Sequence, residues 1–322
     1  MGLLLLGLHH PVHSTAEVTA EPTAEATSAI PADVIGKIAF VSETSTDTQL
    51  YIMNADGSNV RQLTTKNAFP WSPALSPDGK QIAFAAKVSE HYQIFVMNVD
   101  GTNEQQLTQN PTGQSGISGL DWSRDGKQIV FTYKLNDDIN IQSYDLYTIN
   151  VDGSHQQKIT AQPMELVFSP HWSPDRSQIV FDTLGYSPDD LTKPIDFSVH
   201  SHIYIVNVDG SGLHRLTQAE NNEHFPAWSA DGKWIAFLSG GASASDNGLF
   251  SINPDGTNLT HLIQAYYSMP AWSPDGKYLA ATFPELKNGK DVANIYVMNA
   301  DGSNPIKVTA IDGLYRFPTW SR

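Results

Sequence analysis

The chain has 322 residues, with 34 acidic and 19 basic side chains, and it contains no cysteine. The formal charge of −15 argues against a nucleic acid or an anionic membrane as partner, because both require a basic surface. The lack of cysteine excludes disulfides, thiolate metal sites and cysteine nucleophiles. Hydrophobic residues make up 40% of the chain, so the composition excludes a wholly disordered protein.

The N-terminal segment is not expected to join the fold. Residues 2–8 (GLLLLGL) are too few to cross a bilayer, so we expect no membrane span. Residues 1–13 are interpreted as a truncated export signal that lacks a basic start, with a disordered leader as the alternative. Residues 14–35 are rich in Ala, Thr, Glu and Pro and predict a disordered, solvated linker. Because such linkers commonly follow export signals, we favour a periplasmic or extracellular location.

Two short motifs recur along the rest of the chain. The first is Trp-Ser-Pro-Asp-Gly or a variant of it, beginning at Leu75, Trp122, Trp172, Trp228, Trp272 and Trp320. The second is an Asn-x-Asp-Gly turn, with its aspartate at Asp56, Asp100, Asp152, Asp209, Asp255 and Asp301. We number the repeat units 1 to 6 in the order of these aspartates.

The spacing between motifs separates fixed segments from variable ones. An aliphatic residue lies seven positions after the start of each complete first motif, and another lies seven positions after each turn aspartate. By contrast, Phe40 precedes Asp56 by 16 positions, whereas Phe181 precedes Asp209 by 28. Constant spacing across a turn predicts a tight hairpin, because one added residue would turn every later side chain to the other sheet face.

Each unit is therefore predicted to form four short antiparallel strands, A to D. Strands B and C are apolar at consecutive positions, as in residues 50–53, which indicates sheets covered on both faces. Radial stacking of such sheets gives a β-propeller. Unit 1 lacks a strand A, and residues 317–321 form a strand A without a strand B. We therefore predict an all-β, six-bladed propeller over residues 36–322, closed by pairing of its two ends.

The units resemble the repeats of the TolB-type propellers, also called WD40-like PD40 repeats. The resemblance rests on WSPDGKxIAF followed by IYVMNxDGSNxxxLT and covers residues 36–322. It implies an exported, bacterial, six-bladed propeller. In that family TolB is a periplasmic protein of the Tol–Pal envelope system with an additional α/β domain before its propeller. Here only the linker precedes the units, so the resemblance does not imply the complete TolB role.

The predicted binding surface is the end of the sheets that carries the variable B–C and D–A loops, which we name the loop face. Uniform A–B and C–D turns occupy the opposite end, and binding residues concentrate on variable loops held by a rigid scaffold. The candidate ligand-binding residues around the channel mouth are Tyr186, Asp189, Asp190, Asp196, His200, His224, Tyr266, Tyr315 and Arg316.

Metal binding is the less favoured interpretation of two histidines. His200 and His202 share a strand face and could ligate a metal ion. However, the other units mostly carry a polar residue at position 202, where strand C is expected to emerge into water, and no third ligand is evident. His171, on an inner strand, is expected to fill a gap between units rather than reach the channel. The repeated Asp-Gly turns are explained by turn geometry rather than by calcium, and we predict no cofactor.

The sequence contains no motif typical of hydrolases, metalloproteases or nucleotide-binding proteins. We therefore predict a non-enzymatic binding or scaffolding propeller, acting as a monomer, that recognises a protein or an envelope or extracellular polymer. The alternative is a metal-dependent lyase or hydrolase acting on acidic polysaccharide at the channel mouth.

Arg176 is a local departure from the repeat, since it stands at a turn position that should require positive φ. We expect Arg176→Gly to stabilise the fold.

Removal of residues 315–322 tests the predicted closure. If the two ends pair, the truncation should lower the melting temperature of the whole protein rather than fray one edge, because it exposes a full sheet edge and its core side chains. A thermal melt that coincides with that of the intact chain would contradict the closure.

Overall fold

A computed structural model describes residues 30–44, 47–65, 69–89, 91–109, 116–134, 143–160, 164–184, 200–218, 221–241, 247–265 and 269–321. Within these ranges the protein has 25 β-strands and no helix. Accordingly, the described part of the chain holds no helix long and apolar enough to cross a membrane.

The strands follow the repeat units in chain order. Units 1 and 2 contain β1 (Lys37–Glu43), β2 (Thr48–Asn54), β3 (Arg61–Gln62), β4 (Trp71–Leu75), β5 (Gln81–Val88), β6 (His91–Asn98) and β7 (Gln105–Gln106). Units 3 and 4 contain β8 (Leu120–Trp122), β9 (Gln128–Lys134), β10 (Ser143–Asn150), β11 (Gln157–Lys158), β12 (Met164–Glu165), β13 (Val167–Trp172), β14 (Gln178–Leu184), β15 (Ser201–Asn207) and β16 (His214–Arg215). Units 5 and 6 contain β17 (Asn222–Trp228), β18 (Ile235–Gly240), β19 (Gly248–Ile252), β20 (Thr260–Ile263), β21 (Ala271–Trp272), β22 (Tyr278–Lys287), β23 (Lys290–Asn299) and β24 (Ile306–Lys307), and β25 (Leu314–Ser321) follows.

Consecutive strands of each unit pair antiparallel, as predicted. Units 2, 4 and 5 form separate four-stranded sheets, and unit 3 forms a five-stranded sheet in which β12 also pairs with β10. Units 1 and 6 belong to one eight-stranded sheet, because a parallel bridge between Ala293 and Leu314 links β23 to β25.

The last strand pairs with the first. β25 runs antiparallel to β1, with Trp320 opposite Ile38 and Ser321 opposite Lys37. The strand A missing from unit 1 is thus supplied by residues 314–321, which confirms the predicted pairing. Contacts with the fold begin earlier than the expected boundary at residue 36. Val34 is buried, and Tyr278 Oη donates to Asp33 Oδ1 at 2.8 Å, so the end of the predicted linker packs on unit 6.

The core lies between neighbouring sheets. Val41 and Leu50 of unit 1 pack with Ile82 and Phe84 of unit 2, and all four side chains are almost fully buried. Equivalent clusters join the other neighbouring units. Each sheet is therefore covered on both faces, which explains why strands B and C are apolar at consecutive positions.

Hydrogen bonding explains the Leu-Thr pair at the end of most units. In unit 1, Thr64 Oγ1 accepts the backbone N–H of Leu50 at 3.0 Å and donates to Gln49 Oε1 at 2.6 Å. Thr108 and Thr309 make the same two bonds in units 2 and 6. One hydroxyl therefore satisfies a strand C donor and orients the polar residue that precedes this donor in strand C.

The turns opposite the loop face repeat two hydrogen-bond patterns, one for each type of turn. In the A–B turn, Ser76 Oγ donates to Asp78 Oδ1 at 2.7 Å and accepts the N–H of Gln81 at 2.9 Å. In the C–D turn, Asp56 Oδ1 accepts the N–H of Ser58 at 2.9 Å. The turn aspartates thus serve as acceptors that fix the hairpins.

Arg176 has a φ of 63°, next to values of 65–74° for the glycines at the same position of the other A–B turns. The predicted positive φ is confirmed. The structure adds a compensation that the sequence did not reveal, since Arg176 Nη1 lies 2.6 Å from Asp125 Oδ2 of unit 3. Both side chains remain partly exposed, so this ion pair between units contributes about 0–1 kcal/mol.

We expect the effect of Arg176→Gly on stability to depend on salt. The substitution removes about 1 kcal/mol of backbone strain but also removes the ion pair with Asp125. Raising salt from about 0.1 M to about 1 M screens the ion pair of the parent, so the variant should gain stability relative to it. Urea unfolding at both salt concentrations measures the difference. Arg176→Ala, which removes the ion pair and keeps the strain, should be less stable than Arg176→Gly throughout, and equal stability would contradict the strain.

Candidate functional site

The inner strands surround one cavity with a volume of about 760 Å³. Residues from β4, β8, β13, β17, β21 and β25 line it. A cavity of roughly 300–1,000 Å³ suits a small ligand or a short segment of a polymer.

The cavity wall contains strained backbone. Ser72, Ser169, Phe225 and Phe317 each precede a proline and have φ between 46° and 56°. They interrupt the strand register as β-bulges. A residue other than glycine in this region costs about 1–3 kcal/mol, and such strain concentrates at functional sites and ligand clamps.

One residue of each inner strand, immediately before the tryptophan position, also lines the cavity. These residues are Ala74, Asp121, His171, Ala227, Ala271 and Thr319. Where the residue is alanine, its carbonyl can accept an indole N–H from the next unit. Trp122 Nε1 donates to the Ala74 carbonyl at 2.9 Å, and Trp272 Nε1 donates to the Ala227 carbonyl at 3.0 Å.

The side chains of Asp121 and His171 instead contact the backbone N–H of the tryptophan in the next unit. Asp121 Oδ2 accepts the backbone N–H of Trp172 at 2.9 Å, and the backbone nitrogen of Trp228 lies 3.4 Å from His171 Nδ1. The indole nitrogens of Trp172 and Trp228 are then buried without a partner among the described residues. An unpaired buried donor costs about 1–3 kcal/mol, so the boundaries of unit 4 with units 3 and 5 each carry this cost.

Asp121 and His171 form a pair across the boundary of units 3 and 4. Asp121 Oδ2 lies 3.5 Å from His171 Nδ1, and the side chains are 19% and 34% exposed. Burial raises the pKa of Asp121, and the neighbouring imidazole partly opposes this shift. His171 Nε2 has no hydrogen-bond partner within the described ranges. His171 therefore reaches the cavity, whereas the sequence interpretation favoured a side chain that only fills a gap.

A second polar cluster lies between units 4 and 5 and includes two residues predicted from the sequence. His224 Nδ1 lies 3.1 Å from Asp182 Oδ2 and 3.0 Å from Ser201 Oγ. His202 Nδ1 faces Glu223 Oε2 at 3.5 Å, and both side chains are buried. His202 thus lies inside the boundary rather than emerging into water as expected, because Glu223 of the next unit covers it.

The Ser201–His224–Asp182 arrangement resembles the residue types of a nucleophilic triad, but its geometry is structural. Ser201 is fully buried, and its hydroxyl donates to the Glu223 carbonyl at 2.8 Å. A nucleophile must reach its substrate and transfer its proton to the base. These three residues are therefore assigned to holding units 4 and 5 together.

The remaining predicted residues have different positions. Tyr315 is 1% exposed and packs edge-on against Phe40, so it lies in the core rather than on the loop face, and burial raises the pKa of Tyr315 to about 12. Arg316 Nε lies 2.9 Å from Glu43 Oε2, and His200 is half-buried. Tyr186, Asp189, Asp190, Asp196 and Tyr266 lie outside the described residues.

A metal site at His200 and His202 was the less favoured interpretation of the sequence. Across the described ranges, no three His, Asp or Glu side chains are placed so that they could hold a metal ion. His200 and His202 therefore have no third ligand there.

Sequence reasoning did not identify the Asp121–His171 pair. The available signal was the occurrence of ionisable residues at the same position of consecutive units, where three of the six units have alanine. Alignment of the units gave the position, but only the structure shows that the two side chains meet.

We expect Asp121→Asn to raise stability at neutral pH. Because the pKa of Asp121 is raised in the folded protein, its ionised form lowers the free energy of unfolding. This loss disappears fully only when the pH falls below 3.8, the pKa of the same group in the unfolded chain. The amide still accepts the Trp172 N–H, so the gain should shrink as pH falls from about 7 towards about 4. Urea unfolding at both pH values tests this. Asp145→Asn is the control and should lower stability, because Asp145 lies 2.8 Å from Lys158 Nζ in an ion pair. A gain independent of pH would contradict the assignment.

Comparison with known proteins identifies similar chains. Residues 35–193 match the family model of the Tricorn protease N-terminal beta propeller domain. The chain is 28% identical over 284 residues to a TolB homologue of Chlorobium luteolum. The aligned region covers 88% of this chain and 59% of the relative. The chain therefore spans about three fifths of that relative's length.

Solved structures show the same fold. TolB from Acinetobacter baumannii superposes with a TM-score of 0.72 at 20% identity, covering 91% of this chain and 68% of that protein. An oligogalacturonate lyase from Vibrio parahaemolyticus superposes with a TM-score of 0.57 at 18% identity, covering 84% and 74%. Together with the repeats and the four-stranded sheets, these similarities show that the chain is a TolB-like β-propeller.

Proposed function

We propose that the protein is an exported, non-enzymatic binding propeller that recognises a protein or an envelope or extracellular polymer through its loop face. In this proposal the six units are the blades of a closed ring. Similarity to TolB homologues supports export, as does the apolar run at residues 2–8. The charge of −15 opposes self-association and supports a monomer.

Three observations support the closed ring. β25 pairs with β1, so strands from both ends of the described chain share one sheet. Residues of units 1 and 6 share a hydrophobic cluster that includes Phe40 and Ile295. Inner strands of all six units line the same cavity.

The contrast between the two ends of the sheets carries the binding proposal. At the turn end, the same serine–aspartate hydrogen bonds recur from unit to unit. At the loop face the connections differ, since 16 residues separate β14 from β15 but two separate β22 from β23. A uniform scaffold with one chemically diverse end is the usual arrangement of a recognition surface.

The buried position of Ser201 supports binding over hydrolysis, because Ser201 lies beside the His224–Asp182 pair but cannot reach a substrate. The second candidate is a metal-dependent lyase or hydrolase acting on acidic polysaccharide, supported by the fold it shares with oligogalacturonate lyase. Metal content after mild purification separates the two candidates. Stoichiometric metal that is lost in the His200→Ala, His202→Ala double variant would favour the lyase.

Capture of partners from a bacterial envelope extract, after cross-linking, tests the loop face. We expect a variant with Tyr186→Ala, Asp189→Asn, Asp190→Asn and Asp196→Asn to lose a partner that the parent captures, since these side chains belong to the longest variable loop. The matched control changes exposed residues of the turn end, Lys80→Ala and Lys233→Ala, and should retain the partner. Loss in the control, or full capture by the loop variant, would contradict recognition by the loop face.

A further inference from the structure

The boundary between units 3 and 4 departs from the repeat in a way that lowers stability. Asp121 and His171 stand where three units carry alanine and one carries threonine. Beside them, the indole nitrogens of Trp172 and Trp228 have no partner in the described part of the chain, and the Asp121 carboxylate is mostly buried. When one part of a repetitive fold gives up local stability that its equivalents keep, function is the usual reason.

The cavity wall offers, on several of its inner strands, the groups that bind polyhydroxylated molecules. The Asp121 carboxylate and the Thr319 hydroxyl can accept hydrogen bonds, and His171 Nε2 is available because Nδ1 makes the protein contacts. Phe225 and Phe317 line the same cavity, both held at positive φ by bulges. Aromatic rings that supply apolar area, together with a few fixed polar groups, are typical of pockets for small polar ligands.

Charge narrows the class of ligand. The ionisable side chains that line the cavity are Asp78, Asp121, Asp125, Arg124 and His171. They form no basic cluster, and Asp121 has only an imidazole beside it. A carboxylated or phosphorylated ligand would therefore meet repulsion at Asp121, whereas hydroxyl and ammonium groups would meet an acceptor.

We propose that the cavity contains a saccharide-binding site in which Asp121 and His171 contact a neutral or cationic sugar. The ligand would place hydroxyl or ammonium donors against the Asp121 carboxylate and stack an apolar ring face on Phe225 or Phe317. The site is independent of the proposed loop-face function, because none of its residues belongs to that surface. It also differs from the acidic polysaccharide considered above.

Titration calorimetry with three oligosaccharides of similar length tests the ligand class. The probes are a chitosan oligosaccharide, which is cationic, a cello-oligosaccharide, which is neutral, and an oligogalacturonate, which is anionic. We expect one-to-one binding of the chitosan or cello-oligosaccharide at least tenfold tighter than of the oligogalacturonate. Absence of binding by all three, or preference for the oligogalacturonate, would overturn the proposal.

Substitution by the residue that other units carry separates a binding role from a structural one. In Asp121→Ala and His171→Ala the indoles of Trp172 and Trp228 can bond to a carbonyl, as Trp122 does with Ala74. We expect each variant to bind the sugar at least tenfold more weakly while its melting temperature stays equal or rises. Asp209→Asn, on an exposed outer turn, is the control and should bind as the parent does.

A variant with unchanged affinity would overturn the assignment of its residue. If an alanine variant fails to fold, Asp121→Asn provides the second test, because it keeps the acceptor for the Trp172 N–H and removes only the charge. It should weaken binding of the chitosan oligosaccharide more than that of the cello-oligosaccharide. The loop variant described above should bind the sugar normally, so failure of the loop-face proposal and failure of this one are distinguishable.

Discussion

Coverage of both faces of each sheet by its neighbours is the constraint on which this structure depends. No unit of four short strands could bury its own apolar side chains, so the stability of each unit comes mainly from the next one. The pairing of β25 with β1 extends this arrangement to the first and last units, where Trp320 lies opposite Ile38. The inner strands then meet around the cavity, and the site follows from the packing of the whole molecule rather than from any single unit.

The repeat pattern made much of the fold predictable. The fixed spacings located the hairpins, the positive φ of Arg176 and the partner of Ile38, because backbone geometry within a unit depends on residues close in sequence. Contacts between units were not predictable in the same way. Burial of His202 by Glu223 and of Tyr315 against Phe40 depends on which side chains of separate segments face each other, and a single sequence does not encode that pairing in any spacing.

Histidine–carboxylate pairs lie on both sides of unit 4 in an otherwise repetitive structure. Asp121 and His171 meet at its boundary with unit 3, and Asp182 and His224 meet at its boundary with unit 5. The second pair is closed off and holds the sheets together, whereas the first is open to the cavity. Similar residue types thus have different roles, which are set by access to solvent rather than by chemical identity.

The equivalence of the inner strands has a consequence for how the specificity of such a cavity can change. Ala227 and Ala271 occupy the same place in the backbone as Asp121 and His171, on consecutive strands of the same wall. Two substitutions at these alanines could therefore create a second polar pair at an equivalent position of the cavity wall, because the backbone there has the same arrangement. A molecule built in this way can acquire a new ligand through point mutations alone, and its hydrophobic clusters need not be rebuilt.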